Sequence, residues 1–255
     1  MLEITPVPIL ADNYTWVMRS PNSDSAIVVD PGEAAPVEQA LQGFGLALAG
    51  ILVTHHHHDH IGGVAELAAG GIPVFGPNDD RIPALTHALK AGDRFDPPGL
   101  DTTFEVFETP GHTLDHIVYY GDKILFAGDA LFAGGCGRMF EGNAPQMVGY
   151  LAELRDLPPD TQLYCGHEYT AANLAFAQAV EPDNLYLQKR IQQVSAQRKN
   201  GVITLPSILS EERETNPFLR WDEPPVMDQA SQHAGRALQT PAEVFAVLRD
   251  WKDHF

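Results

Sequence analysis

Short apolar runs broken by Gly, Pro and Asp fill about the first 160 residues. Ala26 to Val29 is such a run and stops at Asp30-Pro31-Gly32, which predicts a buried strand ending in a turn. Pro36 to Leu41 fits a short helix, and Gly50 to Thr54 a second buried strand. Val64 to Ala69 predicts a helix closed by Gly70-Gly71. Further strands are expected at Ile72 to Phe75 and Phe104 to Phe107. Ile117 to Tyr120 and Lys123 to Phe126 flank Gly121-Asp122, where a hairpin turn is expected. Strands mixed with helices predict a layered α/β body.

The pattern changes in the tail. Ala171 to Ala179 and Asn184 to Arg198 are rich in Ala, Leu and Gln and read as helices. Thr240-Pro241-Ala242-Glu243 has the form of a capping box with Pro at the first helical position, and should open a helix that runs to near Lys252. Two domains are therefore expected: an α/β domain over residues 1–165 and a helical one over 166–255. There is no internal repeat and no low-complexity tract.

Composition narrows the possibilities. The formal net charge is −18, a field that opposes nucleic acid, whose binding rests on Lys and Arg. An anionic substrate would need a local basic patch. No run of 18 apolar residues occurs, so no membrane span is expected. The N-terminus lacks a basic stretch followed by an apolar one, which favours a cytoplasmic protein. Cys136 and Cys165 make no disulfide framework and read as packing residues, with no basic neighbour evident to make a thiolate.

The candidate chemistry lies in Thr54-His55-His56-His57-His58-Asp59-His60. Alternate positions of an extended segment share a face, so His55, His57 and Asp59 point one way, and a turn lets His60 join them. Three nitrogens and one oxygen exceed what one tetrahedral ion takes from a single segment, which suggests two metals. His56 and His58 are turned away by the same alternation. Downstream stand His112 in Pro110-Gly111-His112, Asp129 after Ile124 to Gly128, and His167 in Cys165-Gly166-His167. Singly, a Gly-His pair is usually a turn and an Asp after a strand a turn starter. The ordered set of four motifs outweighs those readings.

That order resembles the metallo-β-lactamase superfamily, which implies an αββα sandwich of two facing mixed sheets with metals at one edge, followed here by a C-terminal helical domain. Residue by residue, the resemblance implies one metal on His55, His57 and His112, a second on Asp59, His60 and His167, and Asp129 bridging them. Asp30 would orient the His loop, and His116 would support the site without being a ligand. Leu131 to Gly142, Gly166-His167-Glu168-Tyr169-Thr170, Asn216-Pro217-Phe218-Leu219-Arg220 and Arg249 to Asp253 look like glyoxalase II, the hydroxyacylglutathione hydrolases. The likeness runs nearly end to end from Asp12-Asn13-Tyr14. It implies that Arg249 and Lys252 meet the glycine carboxylate of glutathione, and that Tyr169 and Arg138 hold its peptide part. Phe140 replaces a family Tyr in the same pocket. Asp115 replaces a family Gly, where it could hydrogen-bond His116, shift metal preference, or face solvent.

The expected reaction is hydrolysis of S-D-lactoylglutathione to glutathione and D-lactate, the second step of methylglyoxal detoxification. The nucleophile would be a hydroxide bridging two divalent metal ions, positioned by Asp59 and Asp129. Zinc leads the metal choices, with iron or manganese as alternatives. A monomer is expected, acting on a small-molecule glutathione thioester. Three other readings share the motif: a mono-iron glutathione-persulfide dioxygenase, a metal-dependent RNase, and a non-catalytic metal module. The long helical tail with Asn216-Pro217-Phe218 favours the hydrolase, and the acidic charge disfavours the RNase.

Overall fold

Residues 1–255 are all described by the structure, a computed structural model. Glu3–Ile9 (β1) and Asn13–Arg19 (β2) form an antiparallel hairpin in which Glu3 faces Arg19 and Ile9 faces Asn13. Pro6 and Pro8 lie in β1, which is the sheet edge, where a missing N–H costs no ladder bond. Ser25–Val29 (β3), Ala34–Phe44 (α1) and Ala47–Leu52 (β4) follow, then two single-turn helices, His58–Ile61 (α2) and Val64–Leu67 (α3). Val74–Pro77 (β5) and His87–Leu89 (β6) complete a six-stranded sheet in the order β1-β2-β3-β4-β5-β6. β3 to β6 run parallel. The ends of β3 and β4 are apolar and fully buried, as interior parallel strands require.

The second sheet contains Arg94–Phe95 (β7), Phe104–Glu108 (β8), Ile117–Gly121 (β9) and Ile124–Gly128 (β10), joined by antiparallel ladders. The β9–β10 turn sits one residue later than expected. Gly121 closes the ladder opposite Ile124, and Asp122 and Lys123 form the turn with φ of 49° and 61°. Positive φ at both central residues matches the twist of a hairpin. Gly121 is required for another reason: a Cβ there would lie 2.5 Å from the Thr103 carbonyl oxygen. Leu131–Phe132 (β11) and Gly135–Cys136 (β12) make a small hairpin, Ala144–Arg155 (α4) follows, and Gln162–Cys165 (β13) returns beside β10.

The chain builds two compact units and passes between them several times. The first takes 1–108, 115–129 and 164–167, the second 109–114, 130–163 and 168–255. In the first unit the two sheets pack face to face. Trp16 stands edge-on to Tyr164 at 4.9 Å and donates to the Cys165 carbonyl at 3.0 Å. The buried Tyr119 hydroxyl donates to the Val53 carbonyl at 2.6 Å, and Phe75 stacks on Phe95. α1 and α3 cover the other face of the first sheet through Val37, Leu41, Val64 and Leu67, packed on Val28, Ile51 and Val74.

The second unit continues with Thr170–Val180 (α5), Leu185–Lys199 (α6), Ser207–Ile208 (β14), Leu209–Thr215 (α7), a 3-10 turn at Pro217–Leu219, Pro224–Ala234 (α8) and Pro241–Asp253 (α9). β14 pairs with the first half of β13. Leu174, Ala177, Leu187 and Val194 join α5 to α6, and Phe218 stacks on Phe176 and meets Phe245 edge-on. The carboxylate of Glu212 is fully buried. Its Oε2 accepts from the Gly134 N–H at 2.7 Å and from Asn216 Nδ2 at 3.1 Å, and its Oε1 accepts from Arg190 and Ser207. No helix is long and apolar enough to cross a membrane.

The capping box expected at Thr240 and Glu243 is formed. An equivalent box at Asn143 and Gln146, with Pro145 behind it, opens α4. Thr240→Ala is expected to lower unfolding free energy by about 1 kcal/mol, read as a lower denaturant midpoint at constant slope. Thr240→Ser should retain most of it.

Candidate metal centre

β3 ends at Asp30 and the adjacent parallel strand β4 leads into Thr54, so strand pairing alone brings Asp30 to the root of the His loop. Asp30 is buried, with φ of 52°. Its Oδ1 accepts from the Thr54 N–H and its Oδ2 from the Thr54 hydroxyl, both at 2.8 Å. The same Oδ2 lies 3.0 Å from His60 Nδ1. One further strand start bonds this loop, and backbone bonds tie neighbouring strand ends to one another. Ile117 N donates to the Thr54 carbonyl at 2.9 Å, Gly166 N to the Gly128 carbonyl at 3.0 Å, and Tyr14 N to the Gly166 carbonyl at 2.8 Å. Gly166 cannot be replaced without displacement, because a Cβ would lie 2.6 Å from His60 Cε1 and 2.7 Å from Asp129 Oδ1.

The donors converge within this unit. His60 Nε2 is 3.3 Å from Asp129 Oδ1 and 3.5 Å from Asp59 Oδ2. His167 Nε2 is 3.3 Å from both Asp129 Oδ2 and Asp59 Oδ2. Two overlapping sets result, His55 with His60 and Asp129, and Asp59 with His60 and His167, each within 4.8 Å. An ion bound tetrahedrally at about 2.0–2.1 Å places neighbouring donor atoms roughly 3.3 Å apart. The spacing and the nitrogen and carboxylate donors fit a binuclear site for divalent cations.

Hydrogen bonding also selects the tautomers. His167 Nδ1 is 2.9 Å from Asp12 Oδ1, and His60 Nδ1 faces Asp30, so each Nδ1 carries a proton toward a carboxylate. His55 Nδ1 is 3.0 Å from Thr54 Oγ1, whose own proton goes to Asp30. His112, in the second unit, has Nδ1 3.0 Å from the Arg138 carbonyl, which can only accept. In its neutral form each of the four rings therefore has Nε2 as the lone-pair nitrogen. His116 differs: its Nε2 accepts from the Asp129 N–H at 3.1 Å, so that nitrogen is engaged and the residue supports Asp129.

Charge is concentrated here. Burial by itself would depress His60, but Asp129 and Asp30 more than offset it and hold its pKa well above the usual range. Burial opposes protonation of His167 too, yet Asp129 and Asp59 raise its pKa to about 10. Asp59 and Asp129 are held below the ordinary carboxylate range by His167 and His60 in spite of burial. His57, which precedes α2, is lowered by burial and by His56. His58 is exposed, and His56 turns to Asp115, so neither joins the donors.

Two residues the motif reading did not single out contribute directly. Asn13 Nδ2 donates to Asp59 Oδ2 at 2.9 Å and lies 3.3 Å from His167 Nε2. Asp12 orients His167. Both sit at the tip of the β1–β2 hairpin, where the family likeness begins but no spacing points to the His loop. Asp115 does not reach His116, as one expectation had it: both its oxygens meet His56.

In the second unit, the loop of His112 is held by Gly142 N, which donates to the Gly111 carbonyl, and by Glu141, which accepts from the Leu114 N–H. Phe140 is 61% exposed and stands edge-on to His112. Tyr169 precedes α5 and packs edge-on against Phe132. Arg138 is largely exposed, with Nε 3.2 Å from Asp253. Lys252 Nζ lies over the rings of Phe176 and Phe255 and 3.4 Å from the Ala172 carbonyl. Arg249 is only 4% exposed. Its guanidinium donates to the Cys136 carbonyl and to Asp253, and lies over Phe218. Burial raises the Cys136 thiol to about 11, so it stays protonated.

Comparison with known proteins agrees with this geometry. Residues 11–167 match the family model of the metallo-beta-lactamase superfamily, and residues 168–255 match that of the hydroxyacylglutathione hydrolase C-terminus. A hydroxyacylglutathione hydrolase from Alkalilimnicola ehrlichii is 52% identical over 254 residues, covering 99% of each chain. ETHE1 from Myxococcus xanthus shares the fold, with a TM-score of 0.68 at 22% identity over 98% of this chain and 91% of that one. TTHA1623, crystallised in a di-iron-bound form, has a TM-score of 0.55 at 28% identity over 64% of this chain and 91% of its own. With a metallo-β-lactamase fold leading into a helical C-terminal region of matching type, the chain belongs to the hydroxyacylglutathione hydrolase family.

Proposed function

We propose that the chain hydrolyses 2-hydroxyacylglutathione thioesters, S-D-lactoylglutathione foremost, to glutathione and the 2-hydroxy acid. The observation that carries this reading is the set of Nδ1-anchored histidines whose Nε2 atoms, with Asp59 and Asp129, make a donor set suited to two cations. His55, His57 and His112 are assigned to one ion, Asp59, His60 and His167 to the other, and Asp129 to both. Zinc is the first choice. Iron is the second, since TTHA1623 has a di-iron-bound form.

Bound divalent cations would supply hydroxide at neutral pH and polarise the thioester carbonyl. The chain supplies the rest. Asp59 is more open than Asp129, His167 or His60, its side chain 36% exposed against 8%, 6% and 1%. Substrate is therefore placed on the Asp59 side. Asn13 fixes Asp59 so that the carboxylate can orient the nucleophile. Lys252, whose proton affinity is lowered by burial and by Arg249, gains most from a carboxylate and is assigned to the glycine end of glutathione. Tyr169, Arg138 and Phe140 are assigned to the peptide part. Arg249, being buried and engaged, is reassigned from substrate contact to holding β12 and Asp253 in place.

Lactoylglutathione should be cleaved far faster than a thioester lacking the glutamyl-peptide part, and oxygen uptake with glutathione persulfide should be absent. Lys252→Ala should raise KM about tenfold or more with kcat little changed, since a charge-assisted bond contributes about 1.5–3 kcal/mol. A fall in kcat alone would remove Lys252 from the carrier site. Asp129→Ala should leave fewer than two ions per chain by elemental analysis and abolish turnover.

The metal-free chain gains stability from protonated His60 and His167. Because their pKa values are raised, that gain is complete below about pH 6.5 and is lost as pH climbs through the folded values. Cations need the neutral imidazoles. The gap in Tm between metal-loaded and chelator-treated protein should therefore widen from pH 6 to pH 9 by calorimetry; a constant gap would mean that no proton is displaced.

A further inference from the structure

We infer that Asp115 is a positioning residue that sets the stance of the His55 and His57 ligands through the residue between them, an inference that rests on the ligand set proposed above. His56 is gripped at two points by one carboxylate. Asp115 Oδ2 accepts from the His56 backbone N–H at 3.2 Å, and Oδ1 lies 2.7 Å from His56 Nδ1. The two side chains are 7% and 11% exposed, so water competes poorly for either bond. Holding both the amide and the ring fixes the backbone between His55 and His57, and with it the direction in which each projects.

The grip is part of a strap. His116, next along, stacks on His55 with ring centres 4.7 Å apart and accepts the Asp129 N–H. Ile117 N then donates to the Thr54 carbonyl. Three consecutive residues thus bind His56, Asp129 with His55, and Thr54. Asp79 comes within 4.8 Å of the His56 and Asp115 donor atoms. Its carboxylate is held by Arg81, which donates from its backbone N–H and Nε at 2.8 Å and from Nη2 at 2.6 Å. Asp79 is thus engaged with Arg81 and Asp115 with His56.

The test uses the full chain and zinc, with affinity measured by chelator competition and stoichiometry by elemental analysis. Asp115→Gly should still take up two ions at saturating zinc, but with affinity for the weaker one about 10–100-fold lower, the usual effect of removing a partner of a metal ligand. Asp115→Asn, which keeps acceptor and shape, should recover at least half of the loss on a logarithmic scale. Adding His56→Ala to Asp115→Gly should lower affinity no further. Amide exchange at His56 in chelated protein should quicken in Asp115→Gly while its Tm stays near that of the parent. Equal affinity in parent and Asp115→Gly would overturn the inference, as would a third zinc lost in Asp79→Asn. Should the parent itself bind fewer than two ions, the ligand assignment fails instead, so the two failures are distinguishable.

Discussion

A single buried carboxylate organises the metal-bearing edge. Asp30 stands where one parallel strand stops, and the neighbouring strand delivers the Thr54 amide, the Thr54 hydroxyl and, one short turn later, the His60 ring to its two oxygens. Thr15 Oγ1 donates to the Asp30 carbonyl and so braces it from the antiparallel side. Burying a carboxylate is costly unless it is paired and hydrogen-bonded. Here every bond that satisfies the charge also orients part of the His loop. Strand pairing thereby becomes imidazole geometry with no flexible link between.

The same logic repeats around the centre with different partners. Asp12 backs His167 and the Thr54 hydroxyl backs His55. His116 faces the opposite way and supports Asp129 through its amide. Histidine number is a poor guide to metal chemistry, because the partner of one nitrogen decides what the other can do. His56 turns to Asp115 and His116 accepts from the Asp129 N–H, so their hydrogen bonds give them other work.

Much of this was legible in the sequence. Extended-chain alternation holds for His55 and His57 but stops at His58, where α2 begins and carries Asp59 and His60 on a helical turn instead; the buried strands before Asp30 and Thr54 announce themselves as unbroken apolar runs. β1 was hidden by Pro6 and Pro8, which argue against a strand until its edge position removes the objection. The β9–β10 turn was placed one residue early because Gly121 reads as a turn residue, whereas its small size answers a close carbonyl and the left-handed work falls to Asp122 and Lys123. Arg249 reads as a substrate contact only by family resemblance, since charge and position at a helix C-terminus suit the helix dipole equally. No local pattern tells that its guanidinium is buried against Cys136 and Asp253. Asp12, Asn13 and Asp115 act through partners far away in sequence, which spacing cannot reveal.

The unlike backing of the imidazoles carries a consequence for how the centre would fill and empty. A carboxylate behind Nδ1 makes the opposite nitrogen more electron-rich than a hydroxyl or an amide carbonyl does. His60 and His167 have carboxylates, while His55 and His112 do not. With the ligand sets proposed above, the two positions would therefore be chemically unequal despite similar ligand counts. Under scarcity, the ion shared with Asp59 would be retained and its companion would exchange first.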